Sequence, residues 1–326
     1  MRKGKKLSVL GAALAMTVLI LDGKTALTGA AEGIELCTKV VIPSLFPFFV
    51  LSVYLMGILE GTNLPVLVLL GRWSGFSKGI EKLMIPAFLG GYPVGAKCVT
   101  EAWKAGVLDR DNAQKMLSFC SNAGPAFIFG MVASIFSEIW MVWALWAIHI
   151  LSACLVARCI PTDSKSLFVG ESKEISFSSA LASSVTVMMQ VCGWVILFRI
   201  LMGFLDRWFL WMLSPVTRAW IVGILELSNG CCELAAVENE KLRFMICAGM
   251  LAWGGICVSM QTASVTGGLS LAYYVTGKSL QTVFSLLIAA GTIYGTHWIL
   301  LLAAMILIFL PGNRRNNSSN LGLIGV

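Results

Sequence analysis

Twice along the chain, at matching places in its two halves, a strongly apolar stretch is interrupted by glycine, proline and small polar residues. The first half carries Gly90-Gly91-Tyr92-Pro93-Val94-Gly95-Ala96-Lys97 and then Ser121-Asn122-Ala123-Gly124-Pro125. The second carries Glu226-Leu227-Ser228-Asn229-Gly230 and then Gly254-Gly255. Broken backbone at bilayer depth leaves N–H and C=O groups that hydrocarbon penalises unless protein, water or a bound solute satisfies them. Breaks in corresponding positions of two halves therefore point to a binding site.

The bilayer setting follows from composition. With 57% hydrophobic and 13% charged residues and a mean hydropathy of +0.83, the chain is too apolar for a soluble globule and reads as a multi-pass membrane protein. Crossing a core of roughly 30 Å takes about 20 apolar residues. Runs of that kind fall at 7–21, 40–59, 116–135, 138–157, 180–205, 208–225, 244–266 and 280–310, whereas 83–96 is too short. The expected fold is all-α, with about eight spans and two re-entrant or broken helical hairpins.

Other signals narrow the chemistry. The net charge of +7 comes from basic residues at span ends and in short loops, so it orients the chain and meets lipid headgroups; no basic stripe with exposed aromatics suggests nucleic acid. Trp140, Trp143, Trp208, Trp211 and Trp220 cluster near span ends as an interfacial belt would. The ten cysteines lie in apolar sequence without a CxxC pair and read as small buried residues. His149 and His297 stand inside apolar runs without metal-spaced partners, so neither a metal nor a cofactor is expected. Paired carboxylates, a nucleophile with its base and a phosphate loop are all lacking, which argues against an enzyme.

The positive-inside rule sets the expected topology. Arg2, Lys3, Lys5 and Lys6 hold the N-terminus in the cytoplasm before an uncleaved first span. Arg72, Lys78 and Lys82 return the chain there; 83–96 forms a hairpin entered from that side, and 100–115 lies at the surface as a polar helical connector, with a helix start at Asp109. The linker around Lys165 and Lys173 is cytoplasmic, so the halves begin on opposite sides and form an inverted repeat. The expected divisions are 1–39 (N-terminal span and connector), 40–160 (first repeat), 161–178 (cytoplasmic linker), 179–310 (second repeat) and 311–326 (polar tail). Arg314 and Arg315 prefer the cytoplasm against strict inversion, which leaves either 208–225 or 280–310 in doubt as a span.

The motifs Pro43-Ser44-Leu45-Phe46-Pro47-Phe48-Phe49, Gly90 to Lys97, and the stretch from Ser118 through Asn122 to Gly130 resemble the YlbJ-type sporulation integral membrane proteins. That family belongs with the nucleoside-recognition, or Gate, domains also found in concentrative nucleoside transporters and ferrous-iron permeases. The second half matches through Glu226 to Gly230 and through Gly254 to Gln261, with Cys257 where the pattern has serine. The resemblance implies a cell-membrane protein of a spore-forming Gram-positive bacterium with a part in spore cortex or envelope formation.

Physically, Gly91, Tyr92, Pro93, Gly95 and Lys97 make a hairpin tip with exposed backbone dipoles. Ser121, Asn122, Ser228, Asn229 and Gln261 offer donors and acceptors suited to a neutral hydrogen-bonding solute such as a nucleoside or metabolite. Glu226 should be protonated, paired with a cation such as Lys97, or in contact with solute. The expected function is a transporter or permease coupled to Na+ or H+. The alternative is a non-transporting scaffold, binding sporulation proteins through its cytoplasmic linker or a second copy of itself, in which the small residues serve helix packing.

Overall fold

The computed structural model describes residues 2–58, 83–160 and 175–295. The expectations for most of the linker (161–174), the polar tail and the end of the 280–310 run lie outside the described residues. Every regular element among the described residues is helical.

Helix α1 (Arg2–Leu21) is followed by α2 (Gly23–Leu36), which passes through one π-helical turn (Cys37–Val41) into α3 (Ile42–Ile58). The stretch expected as a connector before residue 40 is thus helix. Asp22 caps it by accepting the Thr25 N–H, and its Ala, Leu and Glu content favours propagation. Helix α2 lies antiparallel to α9 (Phe177–Trp208). A Cβ on Gly29 would come 2.8 Å from Ile200 Cα and one on Gly33 2.8 Å from Ile196 Cα, so this Gly-x-x-x-Gly face brings the two backbones together. At the end of the pair, Arg207 joins Asp22 at 3.1 Å.

The first broken hairpin is α4 (Met84–Leu89) and α5 (Val94–Lys104), joined across Gly90 to Pro93. Helix α6 (Arg110–Leu117) begins at the expected cap, where Asp109 accepts the Asn112 N–H at 2.9 Å. The expectation of a surface connector fails here: Thr100, Asn112 and Lys115 are buried, because one side of this amphipathic pair packs on the core. The 116–135 run is not one span either. It is the end of α6, an irregular stretch, α7 (Pro125–Gly130) and a 3₁₀ turn (Val132–Ile135). Helix α8 (Ile139–Cys159) follows the 138–157 run closely.

The 208–225 run also divides. Ser214 accepts the Thr217 N–H and Pro215 occupies the first helical position, so a new helix, α10 (Pro215–Leu225), starts there. Its 11 residues rise only about 17 Å, too little to cross. It turns at Glu226 into α11 (Leu227–Leu234), giving the second broken hairpin. The 244–266 run becomes α12 (Glu240–Trp253) and α13 (Gly255–Thr266), parted at Gly254 and Gly255 with φ of 79° and 91°, a region glycine enters without a Cβ penalty. Helix α14 (Leu271–Tyr294) starts nine residues before the run expected at 280.

Among the described residues four stretches, Gly23–Leu55, Ile139–Cys159, Phe177–Trp208 and Glu240–Thr266, are each long and apolar enough to cross a bilayer. Trp140, Trp208 and Trp211 are exposed at helix ends, where headgroups would meet them.

Candidate functional site

All four breaks converge. Gly91 and Gly124 lie back to back, with a Cβ on Gly124 only 3.2 Å from Gly91 Cα, so the two first-half breaks touch. A Cβ on Gly255 would lie 3.3 Å from Glu226 Cα, so the second-half breaks touch as well. Tyr92 joins the pairs: its hydroxyl donates to the Leu251 carbonyl at 2.7 Å, and its ring lies against Gly254. A cavity of about 40 Å³ sits at this crossing, lined by Tyr92, Gly124, Glu226, Ser228 and Gln261 among apolar neighbours. That volume suits one or a few waters.

The second break is held by its own sequence. Glu226 is buried, and its carboxylate accepts the Ser228 N–H at 3.0 Å, the Asn229 N–H at 2.7 Å and the Asn229 side-chain amide at 2.8 Å. The first N–H groups of α11 have no partner within the helix, so an acceptor here both caps it and meets the positive end of its dipole. Asn229 Oδ1 accepts from Arg199 at 3.1 Å, and Arg199 pairs with Glu32 at 2.7 Å. Glu226 therefore does not pair with Lys97. The Lys97 ammonium donates to the hydroxyl and the carbonyl of Ser183 and lies 3.7 Å from Glu101.

The first break is held by residues brought from elsewhere. Asn122 donates to the Phe119 carbonyl at 2.7 Å and the Ala87 carbonyl at 3.1 Å, so its amide bridges the irregular stretch to α4. The Ala123 N–H donates to His149 Nε2 at 3.0 Å. Asn122 Oδ1 accepts from Gln281 at 3.1 Å and from Lys278 at 3.4 Å. The Lys278 ammonium also donates to Gln281 at 2.8 Å and to the Tyr92 hydroxyl at 3.4 Å, and sits 5.0 Å from the Tyr92 ring centroid.

Of the residues expected at the site, Tyr92, Glu226, Ser228 and Gln261 line the cavity, while Asn229 stands one contact behind it on Glu226 and Asn122 is linked to it through Lys278 and Tyr92. Pro93 precedes α5, and Gly95 is filled on its open side by the Cys120 carbonyl. Ser121 is buried with a hydroxyl that has no hydrogen-bond partner, and Lys97 lies apart. Lys278, Gln281, His149 and Arg199 were not anticipated. Lys278 falls just outside an apolar run taken to begin at 280 and Gln281 at its very start, and only the length of α14 places both in the core. The signal available was the pair itself, a cation and an amide three residues apart between Tyr274 and a long apolar stretch.

A second hollow, of about 350 Å³, opens between α2, α9, α10 and α11. Seven charged side chains line it: Lys24, Glu32, Arg199, Asp206, Arg207, Arg218 and Glu233. Arg218 bridges Asp206 and Glu233. From its wall, the Glu32–Arg199–Asn229 chain leads to Glu226.

Apolar helices of spanning length, and broken helices whose polar groups are answered from within the protein, define an all-helical multi-pass membrane protein. Over 110 residues the chain is 32% identical to the sporulation integral membrane protein YlbJ of Bacillus subtilis (strain 168), a stretch covering 31% of this chain and 25% of that protein. The likeness supports a YlbJ-like family of membrane proteins, and the chain spans about a quarter of that relative's length. No protein-family model matches the chain, and no solved structure matches it.

Proposed function

We propose that this chain is a YlbJ-like, Gate-type membrane protein of a spore-forming bacterium. In this reading it moves a small polar solute across the membrane during formation of the spore cortex or envelope. The observation that carries the transport reading is the convergence of breaks from both halves on one cavity, with the buried carboxylate of Glu226 in its wall. Similarity to a sporulation membrane protein over 110 residues supports the biological setting.

In this reading the halves form an inverted repeat and rock against each other around the crossing. A neutral hydrogen-bonding solute such as a nucleoside needs several hundred Å³, roughly, so a cavity of about 40 Å³ is a closed state and loading requires the halves to part. The protein acts as a carrier and not as an enzyme.

The test is uptake by the purified protein in liposomes across a panel of nucleosides and small metabolites. Uptake of at least one, altered by Glu226→Gln, is the expected result. Neither uptake nor binding across the panel would remove the transport reading. Sporulation function that survives Glu226→Gln and Asn122→Ala would favour a scaffold.

A further inference from the structure

Lys278 is almost fully buried about two turns into α14, and no carboxylate lies within ion-pair distance of it among the described residues. Its ammonium faces three neutral oxygens instead: Gln281 Oε1, Asn122 Oδ1 and the Tyr92 hydroxyl. The orientation of both amides is fixed by their other ends. Asn122 spends its NH₂ on the Phe119 and Ala87 carbonyls, and Gln281 spends its own on Asn122 Oδ1 and the His149 carbonyl. Both amide oxygens are thereby left to turn toward one point, as a cation site requires. Helix α14 cannot drift from this point, because Gly277 lies directly against the Ser118 carbonyl with no room for a Cβ.

We propose that Lys278 is a tethered cation at the crossing: its ammonium fills the oxygen-lined position a free metal cation would take, so the irregular stretch 118–124 is held by a proton-bearing group and answers to protons rather than sodium. An ammonium has three N–H donors for three oxygens. When it gives a proton to water, the amine keeps two donors and a lone pair, so at least one of its bonds to the oxygens of Tyr92, Asn122 and Gln281 is lost. Loss of the bond at Asn122 leaves its Oδ1 with Gln281 as donor while its NH₂ keeps the Phe119 and Ala87 carbonyls, so the amide that ties 118–124 to α4 is held less firmly and the first break loosens. The role in coupling rests on the transport reading; the proton dependence of the segment does not.

The titratable groups around Lys278 are Tyr92, Cys120 from the irregular stretch, His149 from α8, and Tyr274 one turn earlier on α14. Helix α12 brings Cys247, α13 brings Cys257 and α6 brings Lys115 to the same core, all buried. Among the described residues only Lys278 donates to Asn122 and Tyr92 together, which makes the variants below specific.

The test is hydrogen exchange of the full-length protein in detergent or nanodiscs, read as protection factors for 118–124 from about pH 6 to 10, in sodium and in choline buffers. Protection in the wild type should fall about tenfold or more across this range, as expected for loss of a charged hydrogen bond, with the same curve in both buffers. Lys278→Arg, which stays charged, should hold its protection throughout, and Lys278→Met should show no pH step. A flat wild-type curve, a pH step retained in Lys278→Arg, or sodium-dependent protection in the wild type would each overturn the proposal. The two readings fail separately: sodium-driven uptake with a flat curve removes the tethered cation and keeps transport. A proton-dependent segment with no uptake across the panel does the reverse.

Discussion

At the first break an ammonium group meets oxygen atoms, whereas at the second a carboxylate meets backbone N–H groups; in each, an asparagine stands between the break and a basic side chain from a neighbouring helix. Asn122 takes Lys278 and Asn229 takes Arg199. The difference lies in distance along the chain. Glu226 and its three donors span four residues, so the second break holds itself locally, as a capped helix start does. The first break borrows Lys278 from 156 residues away and His149 from 26 residues away, so it forms only when α8 and α14 dock. A local cap tolerates movement of the surrounding helices, and a borrowed one reports it.

The largest expected effect breaks the borrowed side alone. Gly277→Val forces α14 off the Ser118 carbonyl, and should cost about 3 kcal/mol or more of stability, seen as a lowered unfolding midpoint in detergent. Gly193→Ala, which meets open space on α9, should change the same midpoint little or raise it slightly. Next comes the local side: Glu226→Ala leaves two buried N–H groups and one amide without an acceptor, an expected loss of about 2–4 kcal/mol. Glu226→Gln keeps one acceptor oxygen, and should lose roughly half as much by the same denaturation measurement.

A direct contest between the asparagines follows. Asn122→Ala removes bonds to two carbonyls and to two side chains, while Asn229→Ala removes bonds to Glu226 and Arg199. The first should cost about 2 kcal/mol and the second about 1. Hydrogen exchange should place the loosening at 118–124 for the first and at α11 for the second. Equal, global loosening in both would mean the breaks are not independent. The smallest effect is expected for Arg199→Ala, whose pair with Glu32 is partly exposed: about 0–1 kcal/mol, shrinking as salt is raised.

The same contrast explains how much the sequence shows. The breaks are visible from Gly, Pro, Ser and Asn in apolar runs, and Glu226 is visible because a lone acid there needs an answer close by. The start of α6 at Asp109 is visible for the same local reason. What the residues do not show is whatever depends on docking. Nothing near Lys278 in sequence marks it as the partner of Asn122, and nothing near Lys97 shows that Ser183 will take it from Glu226. Helix lengths erred where a short-range signal, Ser214-Pro215, outweighed the apolar run.

From Lys24 to Glu32 the charged hollow follows eight residues of α2, about 12 Å of helix, against a hydrocarbon core of about 30 Å. Where such a hollow opens to one face of the membrane, solution in it carries the electrical potential of its own side inward. The membrane voltage then drops across the protein between Glu32 and the far face instead of across the whole bilayer, and the local field is correspondingly steeper. A charge displaced over that shortened path does electrical work approaching about 2.3 kcal/mol per 100 mV, although it travels only part of the membrane's thickness.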